Sequence, residues 1–298
     1  MTQHRIRIGV SGWRYPEWRR TFYPAGLRQA DELAYAASRF DSMELNGSFY
    51  SLQTPRSYRS WGAATPVGFV FAVKGSRFIT HMKRLDGGVA PLANFFASGV
   101  LALGPKLGPI LWQLPATFAF DPERLTSFFR LLPRTTFEAA TLARRHDARV
   151  RGRCSFRAAD DRAIRHAIEI RHPSFECRTF VSLCREYGVA IVVADAAGHF
   201  PVMDEDASDF TYVRLHGAER LYMSGYDRDA IARWAGRVRK WSRKGDVYVY
   251  FDNTGKVRAP ADAMALREEL GRAGRSVDRA LPSWGQGRWH AECVLPGR

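Results

Sequence analysis

Charged and amide side chains occur two residues apart inside stretches of the chain that are otherwise apolar. In a β-strand, residues two apart point to the same face, so each pair would present a polar face between apolar neighbours. Buried charges are costly unless they are paired with one another or held in place for a function. The pairs are Glu44 with Asn46 in SMELNGSFY, Glu169 with Arg171 in HAIEIR, and Arg214 with His216 in FTYVRLHG.

Four residues are candidates for catalysis, namely Glu44, Glu169, Lys74 and His216. We expect at least one of the two glutamates to act as a general base, because a strand end holds a carboxylate within reach of a proton. Lys74 would serve as a tuned acid or base, or would anchor an anion. His216 would transfer a proton near neutral pH. The competing interpretation makes Glu44 a structural partner of Lys74 or Arg171.

The candidate substrate-binding residues also lie at predicted strand ends or in the loops that follow them. Arg171 and Arg214 suit the bidentate capture of a phosphate or a carboxylate. Aromatic side chains in the first strand-to-helix loop would either stack on a ring or base, or form a hydrophobic lid on the fold. The full set is Asn46, His81, Gln113, Arg171, His172, Asp195, Arg214, Asn253, Trp13 and Tyr15.

The charged cluster has two other interpretations. It would also be consistent with a network of salt bridges that only fills the interior. Carboxylate and imidazole groups bind metals, but a divalent ion would be opposed by three nearby cations, and no compact motif such as H-E-x-x-H occurs. Glycine-rich nucleotide-binding motifs are also missing from the sequence. We therefore predict neither a cofactor nor a metal.

Eight β-type runs with helical segments between them would position these residues. The runs span residues 5–13, 42–46, 69–75, 109–115, 166–171, 189–195, 210–217 and 246–253. The predicted helices span 31–40, 91–103, 122–132, 136–149, 175–187, 227–243 and 260–271. This alternation favours a TIM (β/α)8 barrel over an open doubly wound sheet, with the site at the carboxyl ends of the strands. We expect one barrel domain over residues 1–274 and an irregular C-terminal tail over 275–298.

Composition restricts the class of protein further. The formal net charge of +15 favours a polyanionic partner, or indicates only an arginine-rich composition. The sequence has no apolar run long enough to span a membrane and no signal-peptide pattern, so we predict a cytoplasmic protein. None of the four cysteines forms a C-x-x-C pair, and we expect reduced thiols at Cys154, Cys177, Cys184 and Cys293.

Across about residues 6 to 270, the sequence resembles the domain of unknown function 72 (DUF72) family, also called YecE-like. The resemblance rests on blocks that occur in the family's order, namely GVSGWRYPEW with FYP, MELNGSFY, FVFAVKGSRFITH, LGPILWQLP, IEIRHPSF, VVAD, YVRLHG and VYVYFDNT. It implies a TIM-barrel-like fold and a pocket formed by Glu44, Asn46, Lys74, His81, Gln113, Glu169, Arg171, His172, Arg214, His216 and Asn253. It implies no mechanism, and a suggested link to DNA binding is an analogy at the level of the fold. Phe175 and Asp262 depart from the family's common Trp and Asn, at positions outside this pocket.

The sequence therefore predicts an enzyme with acid–base chemistry on an anionic, phosphorylated substrate at the barrel mouth. Hydrolysis of a phosphodiester or of a sugar phosphate is the reaction class that this set of residues favours. One alternative is a nucleic-acid-binding barrel without chemistry, which would use the basic surface and the loop aromatics. Another is a carrier or sensor of small anions.

Overall fold

A computed structural model describes residues 4–272 of the 298-residue chain. Its parallel strands lie close to the predicted runs. They are β1 (Ile6–Ser11), β2 (Ser42–Leu45), β3 (Val70–Lys74), β4 (Leu107–Gln113), β5 (His166–Glu169), β6 (Val189–Ile191), β7 (Val193–Asp195), β8 (Phe210–Leu215) and β9 (Asp246–Phe251).

The sheet is a nearly closed barrel, which confirms the predicted fold class. Its strand order is β6-β5-β4-β3-β2-β1-β9-β8-β7. The sixth predicted strand is divided at Val192 into β6, which pairs with β5, and β7, which pairs with β8. The amide of Val192 still donates to the carbonyl of Ile168 at 2.9 Å. The two short strands therefore occupy one position, and the barrel has eight strand positions.

Helices cover the outside of this sheet. The α-helices are α1 (Glu32–Arg39), α2 (Gly47–Tyr50), α3 (Pro55–Ala63), α4 (Val89–Ala97), α5 (Pro122–Leu131), α6 (Thr136–Ala143), α7 (Arg178–Tyr187), α8 (Arg228–Trp241) and α9 (Arg258–Arg272). Shorter 3-10 turns lie at Pro16–Trp18, Gln29–Asp31, Val100–Lys106, Ala148–Val150, Pro173–Phe175 and Gly255–Val257, and a π-helical turn lies at Phe78–Met82.

The predicted helices do not include α3, although the sequence at its start is typical of a helix N-terminus. The Thr54 side chain accepts a hydrogen bond from the amide of Ser57, and Pro55 occupies the first turn, where it needs no hydrogen-bond partner. The helix predicted over 91–103 ends at Ala97, because Gly99 adopts a φ of 110° directly after it. A Cβ at Gly99 would lie 2.5 Å from Cα of Pro55, so this glycine also allows α3 to approach closely.

Side chains along each strand point alternately to the two faces of the sheet, so the barrel has two separate apolar cores. The outward side chains, such as Met43 and Leu215, join a large apolar cluster with the helices. The inward side chains form a smaller cluster that includes Ala72, Leu111 and Tyr212. Above this inner cluster, the inward positions become polar and charged, and they form the site described below.

Three further expectations concern membrane-spanning helices, the cysteines and the C-terminal tail. No helix within residues 4–272 is long and apolar enough to cross a membrane. Cys154, Cys177 and Cys184 are free thiols, as expected. The predicted tail at 275–298, including Cys293, lies outside the described residues, and the domain boundary at 274 stays a prediction.

Candidate functional site

Arg214, on β8, is the centre of the charged cluster and is fully buried. Its Nε and Nη2 atoms donate to the two carboxylate oxygens of Glu44 at 3.0 and 2.8 Å. Nη2 also donates to Asp252 at 2.8 Å, and Nη1 donates to Glu169 at 2.5 Å. Further contacts to Gln113 (3.4 Å) and Ser11 (3.3 Å) complete its surroundings. The expectation that Arg214 captures an anion does not fit this geometry, because its N–H groups already have acceptors inside the protein.

Glu44 is equally enclosed. Besides Arg214, its carboxylate accepts hydrogen bonds from the Tyr212 hydroxyl at 2.7 Å and from the Ser11 hydroxyl. Both oxygens therefore have partners, and the side chain is fully buried. This arrangement favours the structural interpretation of Glu44, with Arg214 as its partner in place of the expected Lys74 or Arg171.

Glu169 and His216 also lie beneath the surface of the site, and both are fully buried. Glu169 accepts from Nε of Arg171 at 2.9 Å as well as from Arg214. Burial raises the pKa of Glu169, but Arg214 and then Arg171 outweigh it and hold that pKa well below its ordinary range. Nδ1 of His216 lies 3.1 Å from a carboxylate oxygen of Asp252. Neither Glu169 nor His216 lines the open cleft.

An open cleft of about 570 Å³ lies above this buried layer, at the carboxyl ends of the strands. Six of the predicted site residues line it, namely Tyr15, Asn46, Lys74, His81, Gln113 and Arg171. The other lining residues are Phe49, Tyr50, Arg77, Met82, Tyr222, Asp252 and Thr254. The cleft is thus polar and aromatic, with cations around it.

Lys74, at the end of β3, is the unusual group in this cleft. It is only 8% exposed, and its amine forms no hydrogen bond or ion pair within residues 4–272. Nζ lies 4.4 Å from the centre of the Phe49 ring, which gives it a cation–π contact. Burial, and then the positive charge of Arg214, lower the pKa of Lys74 to about 8.

Arg171 supplies a second cation with part of its donor capacity unused. Its side chain is 13% exposed, stacks over the ring of Phe200 at 4.5 Å, and bonds Glu169 through Nε and Nη2. Nη2 also donates to the Tyr222 hydroxyl at 3.2 Å. Nη1 has no hydrogen-bond partner in the described part of the chain. Arg171 therefore fits the predicted role of anion anchor better than Arg214 does.

The remaining polar groups of the cleft differ in their hydrogen-bond partners and in the pKa shifts that their surroundings cause. Asn46 donates to Ser11 Oγ at 3.2 Å, but its buried Oδ1 has no hydrogen-bond partner among residues 4–272. The Tyr15 hydroxyl donates to the Ser11 carbonyl at 2.5 Å. Burial, and then Arg171 and Lys74, lower the pKa of His81 to about 4, so that its imidazole is neutral at pH 7. Burial raises the pKa of Asp252, but Arg214 outweighs it and holds that pKa below the ordinary range.

Four predicted site residues lie away from the cleft. Trp13 is buried in the outer core, edge-on to Trp61 at 5.6 Å, as expected for a hydrophobic lid. His172 bonds Ser174 and caps the following 3-10 turn. Asp195 pairs in register with the outward-facing Leu215. Asn253 donates to Asp262 at 2.7 Å and to the Ser224 carbonyl.

Sequence reasoning missed two groups that help to form the site. Asp252 follows the inward-facing Tyr250 by two residues, so the alternation along β9 was a usable signal, and only its neighbour Asn253 was chosen. Tyr222 gave no signal, because it lies in a loop with a φ of 62° and reaches the site only through that loop. Its ring contacts His216 edge-on at 5.3 Å.

Within residues 4–272, no group of three or more His, Cys, Asp and Glu side chains is arranged to hold a metal ion. The guanidinium of Arg214 instead lies among the carboxylates of Glu44, Glu169 and Asp252. The expectation of a site without metal or cofactor stays a prediction.

A family model described as a protein of unknown function, DUF72, matches residues 7–286. The chain belongs to the DUF72 family. The match extends past residue 270, to which we traced the resemblance, and past residue 274, where we expected the barrel domain to end. Within the family, UPF0759 protein YecE of Escherichia coli strain K12 is 23% identical over 286 residues, which cover 89% of this chain and 92% of YecE.

Solved structures agree with the barrel fold. A DUF72 family protein from Thermotoga maritima MSB8 is 23% identical, covers 90% of this chain and is itself covered in full, with a TM-score of 0.71. SacUVDE is 9% identical and covers 91% of this chain and 99% of its own, with a TM-score of 0.50. At these identities, the likeness shows the fold alone.

Proposed function

We propose that the cleft is the active site of an enzyme that acts on a small anionic substrate, with Lys74 as the proton-transferring group. The observation that carries this proposal is the enclosed amine of Lys74 at the end of a barrel strand, which has no partner among the described residues. A buried cation without a partner is costly, and such groups are concentrated at functional sites. A structural lysine would instead be expected to bond a carboxylate.

Comparison of the titratable groups in the cleft supports Lys74. A general acid or base works best when its pKa lies near the working pH. Asp252, with its lowered pKa, is a weak base, and His81, with a pKa of about 4, is a weak base as well. The pKa of Lys74, about 8, leaves roughly a tenth of its amine neutral at pH 7.

Arg171 supplies the complementary role of binding the anion. Its guanidinium is fixed on one edge by Glu169 and on one face by Phe200, and it lines the cleft with Nη1 unbonded within residues 4–272. A guanidinium held in this way loses little conformational entropy when it binds a phosphate or a carboxylate. Hydrolysis of a phosphate ester, with Lys74 taking a proton from the attacking water, stays our preferred reaction class.

Calorimetric titration with glucose 6-phosphate, inorganic phosphate and uncharged glucose tests the anion site. We expect both phosphate compounds to bind, and Arg171→Gln to weaken them by roughly 10- to 100-fold, because a hydrogen bond to a charged group is lost. Arg185→Gln, which removes an exposed arginine paired with Glu205, is the matched control and should change nothing. Equal affinities of wild type and Arg171→Gln would refute the anion site, and turnover of a bound compound would separate an enzyme from a carrier or sensor.

The nucleic-acid alternative has one specific observation in its favour. A second groove adjoins the cleft and shares Tyr50, Arg77 and Met82 with it, and Arg149 also lines this groove. Tyr50 is 69% exposed, and an exposed aromatic beside arginines suits a stacked base and its phosphate. The net charge of +15 would add to such binding.

A further inference from the structure

We propose that Lys74 is also a nucleophile, and that its amine forms an imine with an anionic aldehyde or ketone bound in the cleft. This inference rests on the proposed function, because Arg171 would bind the anionic group of the same compound. It goes further, because it assigns a covalent step and a class of substrate.

The availability of the amine is the first argument. Three carboxylates act on the charge of Lys74, those of Glu44, Asp252 and Glu169. Each of them is already hydrogen-bonded to Arg214, and none comes within ion-pair distance of Lys74. The lone pair of the neutral amine is therefore not competing with a salt bridge, and the amine lines an open cleft.

The backbone that carries Lys74 is well defined, and the Phe49 ring at 4.4 Å locates its amine. Lys74 pairs in register with Leu111, and the next residue, Gly75, donates its amide to the Leu111 carbonyl at 2.8 Å. The Ser48 hydroxyl bonds the Lys74 carbonyl at 2.6 Å. A nucleophile fixed on a strand end in this way can be held close to a bound carbonyl carbon.

The surroundings also suit the charge that the reaction creates. A protonated imine carries one positive charge on nitrogen, as an ammonium does. The Phe49 ring at 4.4 Å and the nearby carboxylates stabilise such a charge, while Arg214 and burial favour the neutral amine needed for attack. The same cleft therefore tolerates both the reactant and the product of imine formation.

The step balances without an oxidant or a reductant. The Nζ lone pair attacks the carbonyl carbon, the C=O π electrons move to oxygen, and transfer of one proton from nitrogen to oxygen gives a neutral carbinolamine. Protonation of its hydroxyl then releases water as the C–O bond breaks, and leaves the protonated imine. Tyr222, which accepts from Arg171 and keeps its own hydroxyl hydrogen, is a donor for that protonation.

Reductive trapping tests the proposal on the full chain. Wild-type protein is incubated at pH 8 with glyoxylate, a small aldehyde that carries a carboxylate, and with cyanoborohydride, and the modified lysines are mapped by peptide mass spectrometry. Lys83 serves as an internal control, since it is exposed and lies 5.8 Å from the Phe78 ring. With a pKa of about 8, Lys74 holds roughly a hundredfold more neutral amine at this pH than an ordinary lysine does.

We expect Lys74 to be labelled about tenfold faster than Lys83, or more. The expected factor is smaller than the difference in neutral amine, because an amine of lower basicity is also a weaker nucleophile. Glycolate, which has the carboxylate without the aldehyde, should protect Lys74, and Arg171→Gln should slow its labelling. Lys83→Met should leave labelling of Lys74 unchanged. Acetaldehyde, which carries no charge, should label Lys74 more slowly than glyoxylate does.

Labelling of Lys74 no faster than that of Lys83 would overturn the covalent step. If glucose 6-phosphate still bound and Arg171→Gln still weakened it, the proposed function would survive that result. If anion binding were missing as well, the proposed function would fall with it. The test needs no variant of Lys74, because Arg171→Gln and the comparison with Lys83 in wild-type protein decide it.

Discussion

At the scale of single residues, Arg214 organises the charges of the barrel mouth. It bonds Glu44, Glu169 and Asp252 at once, and it also lowers the pKa of the neighbouring Lys74. The carboxylates of Glu44 and Glu169, which we predicted as catalytic candidates, both bond this guanidinium. These ion pairs offset the cost of burying Arg214 beside Lys74, whose amine has no hydrogen-bond or ion-pair partner within residues 4–272.

Glu44→Gln should therefore destabilise the protein strongly. Glutamine keeps the shape of the side chain but removes the charge that Arg214 contacts through two atoms, so the loss should be on the order of 3 to 5 kcal/mol. Thermal unfolding measures it, and Asp206→Asn, at an exposed pair with Lys244, is the control that should change little. An unchanged midpoint for Glu44→Gln would instead restore Glu44 as a catalytic candidate.

The lowered pKa of Lys74 predicts a pH dependence of stability. Between about pH 8 and its ordinary pKa of 10.5, the unfolded chain binds more protons at this residue than the folded protein, so folded stability rises with pH in that window. Below about pH 8 both states are protonated, and the cost of burying the charge is present in full. Lys74→Met should thus gain most over wild type at pH 7, with an advantage that shrinks by about 3 kcal/mol toward pH 10.5.

Urea unfolding of wild type and Lys74→Met at several pH values checks this prediction, because titrations of other groups cancel in the difference. The groups that face Lys74 and set its titration are Arg214, Glu44, Asp252, Glu169 and His81. Lys83→Met, on the surface, should give a curve parallel to that of wild type. Parallel curves for Lys74→Met would mean that its pKa is ordinary.

At the scale of elements, close packing of neighbouring strands fixes where the polar residues point. Gly9 on β1 lies so near β2 that a Cβ there would be 2.0 Å from the Ser42 carbonyl oxygen. The same pair of strands brings Ser11 opposite Glu44 in register. The absence of a side chain at Gly9 thus allows the pairing that positions the base of the site.

Gly9→Ala should destabilise the protein by about 1 to 3 kcal/mol or more, since backbone atoms would have to move. Gly236, inside α8, provides the matched control, because a Cβ there meets nothing within 4 Å. Gly236→Ala should instead stabilise by about 0.5 to 1 kcal/mol, through the lower entropy of the unfolded chain and better helix propensity. Chemical denaturation measures the free energy of unfolding of both variants. An unchanged free energy for Gly9→Ala would show that β1 and β2 can move apart without cost.

At the scale of the whole molecule, the excess of positive charge and the local cations of the cleft predict two different kinds of binding. A formal charge of +15 attracts any polyanion, with an affinity that falls as salt rises. A small anion bound at Arg171 would contact a side chain that is only 13% exposed, so its affinity should depend on the cleft and much less on distant surface charge.

We expect random-sequence DNA to bind with a steep dependence on salt, with a slope of about 0.9 per phosphate contact. Arg149→Gln, at the groove beside the cleft, should weaken DNA and leave glucose 6-phosphate unaffected. Lys74→Met should do nothing to DNA, because this amine is buried. Fluorescence anisotropy across a salt series measures these effects, and a loss of DNA binding in Lys74→Met would favour the nucleic-acid function.

Local pattern in the sequence was enough to predict the barrel and the inward direction of Glu44, Lys74, Gln113 and Arg214, although Asp195 points outward. Alternation along a strand fixes the face of each side chain relative to its neighbours, so Glu44 and Glu169 had to point away from the apolar Met43 and Ile168. Strand–helix alternation fixed the architecture, since parallel strands require crossovers. These features are local, and the chain encodes them within a few residues.

Only the tertiary structure decided which inward residues reach the cleft. Depth depends on the stagger between strands and on the loops above them, and neither is encoded within one strand. Asn46 therefore lines the cleft, whereas Glu44, two residues earlier, is buried below it. Arg214 bonds three carboxylates that come from other parts of the chain. Because those contacts join residues 38 to 170 positions apart, no local pattern contained them.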